Sequence, residues 1–270
     1  MVLLIHIHRE MKKIYHRIKK FYINNNLILQ IMAKNLFLNL IYYIAGKNLK
    51  KKGSKCNNIK DFINLALNYK YSIFKRLPPI IFLGRQQKKS EILEFCKFIY
   101  KLKPRRILEI GTAKGGSLFL FSRISGKNST IFSIDLPIIK YVGGITLAPP
   151  PKIFFKAFKL DDQKMAIIRG DSHDSSTLKK VKRILKKNKI DILFIDGNHS
   201  YKGVKKDFEI YSPLVRKNGI IAFHDIVEVP SESGVRVNKF WNEIKEYYEY
   251  LEFVEDWNQG RYGIGVIYKK

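Results

Sequence analysis

Acidic side chains lie at the ends of short apolar runs in the second half of this 270-residue chain. The runs are RILEI at 106–110, TIFSID at 130–135, AIIRG at 166–170, DILFID at 191–196 and IIAFH at 220–224. An acidic residue closes each run or follows close behind: Glu109, Asp135, Asp171, Asp196 and Asp225. If the runs are parallel strands of one sheet, their carboxyl ends meet at the edge where open α/β sheets bind ligands. We therefore expect the five carboxylates to line one rim.

A glycine-rich turn connects the first run to a helical pattern. The segment EIGTAKGGS begins at Glu109 and contains Gly111, Gly115 and Ser117. Glycines let the backbone approach a ligand and present amide donors at a helix N-terminus. The Gly-Lys-Ser/Thr of a P-loop is absent, and Ala113 stands where a dinucleotide fingerprint requires glycine. The acid before the loop opposes a phosphate, and it suits the ammonium group of S-adenosylmethionine.

A second set of polar residues lies at the ends of the fourth and fifth runs. Asp196 and Asp225 end adjacent strands of the expected sheet and can place hard oxygen ligands on one divalent cation such as Mg²⁺. His199, three residues beyond Asp196, is placed to take a proton from a hydroxyl group as a general base. His224, directly before Asp225, is the third candidate metal ligand. A nitrogen ligand favours a softer divalent ion, and general-base catalysis without a metal is the other option.

Elements that position these residues can be predicted from hydrophobic patterns. The apolar runs alternate with helical patterns, such as the stripes at 204–215 and 241–251. Strands that are apolar on both faces indicate a buried parallel sheet, and the alternation predicts a doubly wound α/β domain. Near the end of the chain, two strands at 253–254 and 263–268 are separated by only a turn, which permits a hairpin and not a crossover.

These stretches resemble the class I S-adenosylmethionine-dependent methyltransferases from about Leu83 through Lys270. The similarity is closest to the small-molecule O-methyltransferase branch that is grouped with rhamnosyl O-methyltransferases and cephalosporin-hydroxylase-type proteins. The segments LEIGTAKGGS, FIDGNHSYKGVKKDF and NGIIAFHDI carry it. The resemblance implies a Rossmann-like, doubly wound, seven-stranded, mostly parallel sheet with an antiparallel last strand and a helical N-terminal extension.

The same resemblance implies which residues bind S-adenosylmethionine. Residues of the glycine loop would hold the methionine part: Glu109, Gly111, Gly115 and Ser117. Asp135 would bind the ribose hydroxyls, and Asp171 with Ser172 would bind the adenine. In the metal-dependent members an acidic residue stands at the position of His224, which argues against magnesium in this chain.

We therefore expect O-methylation of a small hydroxylated acceptor, such as a sugar, a glycan or a natural-product-like molecule. His199 and Asp196 are the expected catalytic residues, and Asp196, His224 and Asp225 are the candidate ligands of a divalent cation. Two other functions stay open at this point. One is an RNA methyltransferase, although no RNA-binding module can be recognised, and the other is a non-catalytic, membrane-associated binding protein.

The charge is concentrated in the N-terminal part of the chain. The formal net charge is +28, of which residues 1–104 carry +18. Such an excess favours a polyanion or an anionic membrane surface as a partner, or it reflects compositional bias. The apolar stretch at 27–46 is interrupted by Lys34 and three amide side chains, and a charge inside a membrane span costs about 3 kcal/mol. We therefore do not expect a membrane span here. The preceding basic run at 11–22 has helical spacing of its apolar residues, and such a helix either packs on its own domain, the commoner outcome, or lies on a membrane surface.

Three regions are predicted along the chain: a basic extension with a linker at 1–60, a helical cap region at 61–104 and the methyltransferase domain at 105–270. The linker is the polar run at 47–60. Cys56 and Cys96 form no disulfide or zinc-binding pattern, which suits a reducing cytoplasm. Peripheral membrane contact through the N-terminus is the alternative location, and we predict no particular oligomeric state.

Overall fold

A computed structural model describes residues 13, 27–72, 79, 81–84, 87–140, 146–147, 149–230 and 233–270. The helices are α1 (Leu27–Gly53), α2 (Ile59–Asn68), α3 (Lys89–Leu102), α4 (Gly116–Ile124), α5 (Lys152–Lys156), α6 (Ser175–Leu185), α7 (Tyr201–Tyr211) and α8 (Val237–Ile244). The first seven strands are β1 (Lys70–Tyr71), β2 (Ile81–Phe82), β3 (Arg106–Ile110), β4 (Thr130–Asp135), β5 (Ile139–Lys140), β6 (Thr146–Leu147) and β7 (Lys164–Arg169). The last four are β8 (Ile190–Ile195), β9 (Val215–His224), β10 (Tyr250–Phe253) and β11 (Ile264–Tyr268).

The central sheet has seven strands in the order β10-β11-β9-β8-β3-β4-β7. In this order the five neighbouring strands β9, β8, β3, β4 and β7 run parallel to one another. The strand β11 is antiparallel to both of its neighbours, β10 and β9. Helices follow the strands as crossover connections, so the sheet is doubly wound and Rossmann-like. The predicted fold class is confirmed, including the hairpin that forms the last two strands.

Residues of the central strands pack on both faces of the sheet. In β8, Ile192 and Phe194 belong to the buried cluster on one face, while Leu193 and Ile195 belong to the cluster on the other. Successive side chains of a strand point to opposite faces, so a strand covered by helices on both sides must be apolar throughout. This is the physical reason for the continuous apolar runs in the sequence.

The polar run at 47–60, which we expected to be a linker, is helical on both sides of a short turn. Helix α1 continues through Gly53 because Leu49 is fully buried within the same cluster as the sheet. Helix α2 begins at Ile59, where the side chain of Asn58 accepts a hydrogen bond from the backbone N–H of Asp61 at 3.0 Å. The lysines of this run are compatible with a helix, because the position that faces the core is occupied by Leu49 and not by a lysine.

The N-terminal helices share a core with the sheet. Ile41 of α1, Ile63 of α2 and Phe121 of α4 lie in one continuous buried cluster. The apolar stretch at 27–46 lies within helix α1. In the part of the chain that the structure describes, no helix combines the length and the apolarity required to cross a membrane. The basic run at 11–22 lies outside the described residues except for Lys13.

A buried carboxylate ties helix α3 to the connection between β10 and β11. Glu91 is 3% exposed and accepts hydrogen bonds from the backbone N–H of Gly263 at 2.9 Å and of Glu255 at 3.1 Å. The side-chain amide of Gln259 donates a third bond at 2.6 Å. Hydrogen bonds to a buried charged group are stronger than those between neutral groups. Glu91 therefore fixes the sheet edge that carries the antiparallel strand.

We predict that Glu91→Ala lowers the free energy of unfolding by about 2–3 kcal/mol, because it leaves the buried N–H of Gly263 and two partly buried donors without their acceptor. The matched control is Glu94→Ala on the same helix, whose exposed pair with Lys97 spans 2.7 Å. Exposed pairs contribute little, so this variant should stay within about 0.5 kcal/mol of the parent. Urea denaturation monitored by circular dichroism measures both. Equal stability of the two variants would contradict the role given to Glu91.

Candidate active site at the carboxyl edge of the sheet

Backbone hydrogen bonds continue past the ends of the parallel strands and hold the following loops side by side. Asp196 donates its backbone N–H to the carbonyl of Ile110 at 2.8 Å, and Gly170 donates to the carbonyl of Asp135 at 3.0 Å. The strands therefore end at nearly the same level. As the sequence predicts, the acidic residues at these strand ends lie along one edge of the sheet.

The glycine loop fits against protein neighbours on both sides. Gly111 has a φ of +86°, and a Cβ at this position would clash with the backbone carbonyl of Asp196. Gly115 has a φ of +90°, and a Cβ there would meet the ring of Phe155. Only glycine combines this backbone conformation with such close approach. Both glycines were predicted to make room for a ligand, and the neighbours for which they make room in this structure are Asp196 and Phe155.

Glu109 is completely buried beneath the glycine loop. Ser117 donates a hydrogen bond to Oε1 of Glu109, while Oε2 has no hydrogen-bond partner among the described residues. Burial raises the pKa of Glu109 to about 8, although the hydrogen bond from Ser117 opposes this rise. An orphaned carboxylate oxygen at full burial marks a position where a positively charged or donating group would be stabilised.

Asp135 is held by an arginine that the sequence analysis missed. Nη1 of Arg169 lies 3.4 Å from Oδ2 of Asp135, and the backbone N–H of Leu136 donates to Oδ1 at 2.9 Å. Arg169 also donates to the carbonyl of Pro150 at 2.7 Å. Burial raises the pKa of Asp135, with Arg169 opposing the rise. The signal available in the sequence was an arginine that directly follows the apolar residues 166–168 of this strand.

Asp171 and Ser172 lie in the loop after β7. The Asp171 carboxylate is half exposed and accepts a hydrogen bond from the backbone N–H of His173 at 2.8 Å. Tyr211 donates its hydroxyl to the carbonyl of Ser172 at 2.7 Å. Nε2 of His173 lies 3.3 Å from Oδ1 of Asp207, which is fully buried. Helix α7 therefore holds this loop through Tyr211 and Asp207, neither of which the sequence analysis had assigned to the site.

Asp196, His199 and Asp225 converge at the neighbouring strand ends. One ligand atom from each of the three lies within 4.8 Å of the others, the only such group found in the described part of the chain. Nε2 of His199 lies 3.4 Å from Oδ1 of Asp196, and Nδ1 lies 3.5 Å from Oδ2 of Asp225. The His199 side chain is 39% exposed, so it can be reached from solvent. The convergence of these three residues is what the sequence predicts.

His224 lies behind this cluster with 4% of its side chain exposed. Its Nδ1 is 3.3 Å from Oδ1 of Asp196 and 3.2 Å from Oδ1 of Asp225. Burial lowers the pKa of His224, but the two carboxylates outweigh burial and raise it well above the ordinary value. Desolvation raises the pKa values of Asp196 and Asp225, but His224 and His199 together outweigh it and lower both pKa values.

One ligand atom from each of Asp196, His199 and Asp225 could share one cation. The ligand set expected from the sequence, with His224 in place of His199, stays a prediction, since Nδ1 of His224 lies within 3.3 Å of both carboxylates. Two carboxylates and an imidazole form a donor set that divalent cations accept.

Comparison with known proteins gives a family match over the core of the chain. Residues 108–226 match the family model described as a methyltransferase domain. The resemblance to methyltransferases that the sequence suggested agrees with this match over these residues. They run from β3 to just beyond β9 and include the glycine loop and the Asp196, His199 and Asp225 cluster.

Two curated relatives are similar to the chain, as are several solved structures. An uncharacterised protein, y4gI, from Sinorhizobium fredii is 27% identical over 173 residues, which are 63% of this chain and 18% of that protein. The uncharacterised protein R132 from Acanthamoeba polyphaga mimivirus is 32% identical over 137 residues, 50% of this chain and 57% of that protein. The chain therefore spans less than two thirds of either relative. The O-methyltransferase from Bacillus cereus in complex with SAH has a TM-score of 0.48 and 18% identity, covering 66% of this chain and 81% of that one.

The raised pKa of Glu109 predicts a pH dependence of stability. The folded protein keeps the Glu109 proton up to about pH 8, whereas an unperturbed glutamate releases it near pH 4.5. Between these values the unfolded state binds fewer protons, so the stability of the parent falls as the pH rises, by at most about 1.4 kcal/mol per pH unit. Glu109→Gln keeps the neutral form and the acceptor for Ser117. We expect its stability relative to the parent to increase from pH 5 to pH 8.

Urea denaturation at pH 5, 6, 7 and 8 measures this difference. Glu94→Gln serves as the control, because it removes the same charge from an exposed position on α3. If the curves of free energy against pH for Glu109→Gln and the parent run parallel, Glu109 does not carry a proton in the folded state.

Proposed function

We propose, on the premise that residues 108–226 match a methyltransferase domain, that the chain is an S-adenosylmethionine-dependent O-methyltransferase of small hydroxylated acceptors. The observation that supports this most directly is the arrangement of the rim. Buried Glu109 and Asp135 lie at the ends of β3 and β4, and the Asp196, His199 and Asp225 cluster lies next to them at the ends of β8 and β9. The part of the rim with Glu109 and Asp135 suits a cofactor, and the adjoining cluster suits the hydroxyl group of an acceptor.

The chemistry of the residues at β3 and β4 suits S-adenosylmethionine, which would supply the methyl group on a sulfonium. The free Oε2 of Glu109 would accept the ammonium of the methionine part. Backbone amides of the glycine loop, at the N-terminus of α4, would bind its carboxylate. The Asp135 carboxylate, oriented by Arg169, would accept hydrogen bonds from the ribose hydroxyls. We assign the adenine to the loop with Asp171 and Ser172.

The cluster at β8 and β9 would deprotonate the acceptor. Methyl transfer to oxygen is an in-line displacement, so the hydroxyl must lose its proton and be held against the methyl group. His199 would take this proton, because it is the most exposed member of the cluster. Asp196 and Asp225 would orient its ring and stabilise the imidazolium that forms. His224 would hold both carboxylates from behind.

Metal assistance is a separable part of this proposal. The three donor atoms of Asp196, His199 and Asp225 could hold a divalent cation, which would polarise the acceptor hydroxyl. The expected ligand set with His224 is the alternative. In either arrangement the chain supplies two carboxylates and at least one imidazole, so a cation softer than magnesium suits the site as well.

The acceptor and the cellular location also belong to the proposal. A sugar, a glycan or a natural-product-like hydroxyl compound in the cytoplasm is our first choice. An RNA acceptor is the second candidate, because helix α6 exposes Lys179, Lys180, Lys182 and Arg183. Nucleic-acid binding of this kind weakens steeply with salt, whereas methylation of a small neutral acceptor does not. A non-catalytic role at a membrane surface stays a third, separate prediction.

Because Asp135 is assigned to the cofactor and His199 to the acceptor, we predict that substituting one changes cofactor affinity and substituting the other changes turnover. Asp135→Ala should weaken S-adenosylmethionine binding at least about tenfold, which corresponds to about 1.4 kcal/mol. His199→Gln should leave that affinity within about twofold and lower turnover at least about 100-fold, the usual contribution of a general base. Isothermal titration calorimetry measures the affinity. Release of S-adenosylhomocysteine in the presence of a panel of free sugars and phenols measures turnover.

The two variants serve as controls for each other, provided that both unfold at the temperature of the parent. If His199→Gln loses cofactor affinity and Asp135→Ala does not, the two roles are assigned wrongly. Repeating the turnover assay after treatment with EDTA, and again after adding Mg²⁺ or Mn²⁺, tests the cation. Unchanged activity throughout removes the metal from the proposal and leaves general-base catalysis.

A further inference from the structure

A cavity of about 210 Å³ lies at the opposite end of the sheet from the rim. Its walls come from the end of α3 and from the first residues of β3, β8 and β9, and they include Lys103, Arg105, Arg106, Asp191 and Arg216. The parallel strands β3 and β8 span five and six residues, so roughly 16–20 Å of sheet separates the cavity from the catalytic cluster. The cavity is therefore distinct from the proposed active site.

Asp191 organises the positively charged wall of this cavity. Its Oδ2 accepts hydrogen bonds from the backbone N–H groups of Arg105 and Arg106, both at 2.8 Å. Its Oδ1 accepts from Nε of Arg216 at 2.7 Å. Both carboxylate oxygens are thus engaged, and they fix the backbone turn before β3 and the direction of the Arg216 side chain. Asp191 holds the Arg216 side chain and the backbone at Arg105 and Arg106, and it contributes one negative charge.

The charges that face the cavity do not balance. Four of the residues that line it are cationic, Lys103, Arg105, Arg106 and Arg216, and Asp191 is the single acidic one. In the described residues no carboxylate pairs with the guanidinium of Arg105 or of Arg106. A guanidinium presents a planar fork of donors that matches the oxygens of phosphate, and several such groups around one recess stabilise a multiply charged anion.

We propose that this cavity binds the phosphoryl group of a small anionic ligand. A recess of this volume admits one phosphoryl group with a few attached atoms. A nucleic-acid-binding surface differs from such a recess, because its cations are spread along an extended path and contact several phosphates at once. The exposed cations of α6 form such a diffuse surface, whereas the four cationic residues at the cavity line a single recess. The proposal does not depend on methyl transfer.

The test is the binding of inorganic phosphate and of pyrophosphate to the full chain at constant ionic strength, measured by isothermal titration calorimetry. The parent should bind one anion per chain saturably. The double variant Arg105→Gln with Arg106→Gln should bind at least tenfold more weakly. The control is Lys182→Gln with Arg183→Gln, which removes the same formal charge from exposed positions on α6 and should bind like the parent.

The single variant Arg105→Gln, at an exposed position, provides a second measurement if the double variant does not fold, and it should also weaken binding. No saturable binding of either anion by the parent overturns the proposal. Equal weakening in the cavity variant and the α6 control also overturns it, because the effect is then one of net charge. A short single-stranded RNA that binds the parent while phosphate and pyrophosphate do not would identify a nucleic-acid surface instead.

Discussion

The candidate site depends on one close approach between two loops. Gly111 in the loop after β3 lies directly against the backbone carbonyl of Asp196 in the loop after β8, and no other residue type fits at that position. The hydrogen bond from Asp196 to the carbonyl of Ile110 joins the same two strand ends. The loop that suits the cofactor and the cluster that suits the acceptor are therefore held at a fixed separation. In-line transfer of a small group requires this kind of fixed geometry.

Most of the sheet could be predicted, because strands that are buried on both faces are continuous apolar runs in the sequence. The strands β3 and β4 coincide with the predicted runs to the residue. The strand β9 begins at Val215, five residues before the predicted run. Val215 pairs with Ile190 of β8. Asn218 and Gly219 form backbone hydrogen bonds with Lys269, so pairing continues through an exposed segment. Because the first residues of β9 are mostly polar, the sequence pattern does not indicate that they are paired. The helical run at 47–53 was missed for a related reason, since one buried leucine among lysines decides its structure.

The site was predicted less completely, because spacing gives the position of a residue and not the direction of its side chain. Asp196, His199 and Asp225 converge as expected. The inward direction of His224 and the positive φ of Asp225, +64°, are properties of one strand end that no pattern reveals. Arg169 and Asp207 were missed because their partners, Asp135 and His173, are distant in sequence. Long-range ion pairs at the rim can be found only once the register of the sheet is known.

Calorimetric titration of the chain with S-adenosylmethionine tests the central claim most directly. The parent should bind one molecule per chain. Gly111→Ala should lose at least tenfold in affinity, because it forces the two loops apart. The control Gly260→Ala, where φ is also positive at +71° but no atom lies within 4 Å of the added Cβ, should bind like the parent. A folded parent that binds no S-adenosylmethionine, or a Gly111→Ala variant with the affinity of the parent, would contradict the account.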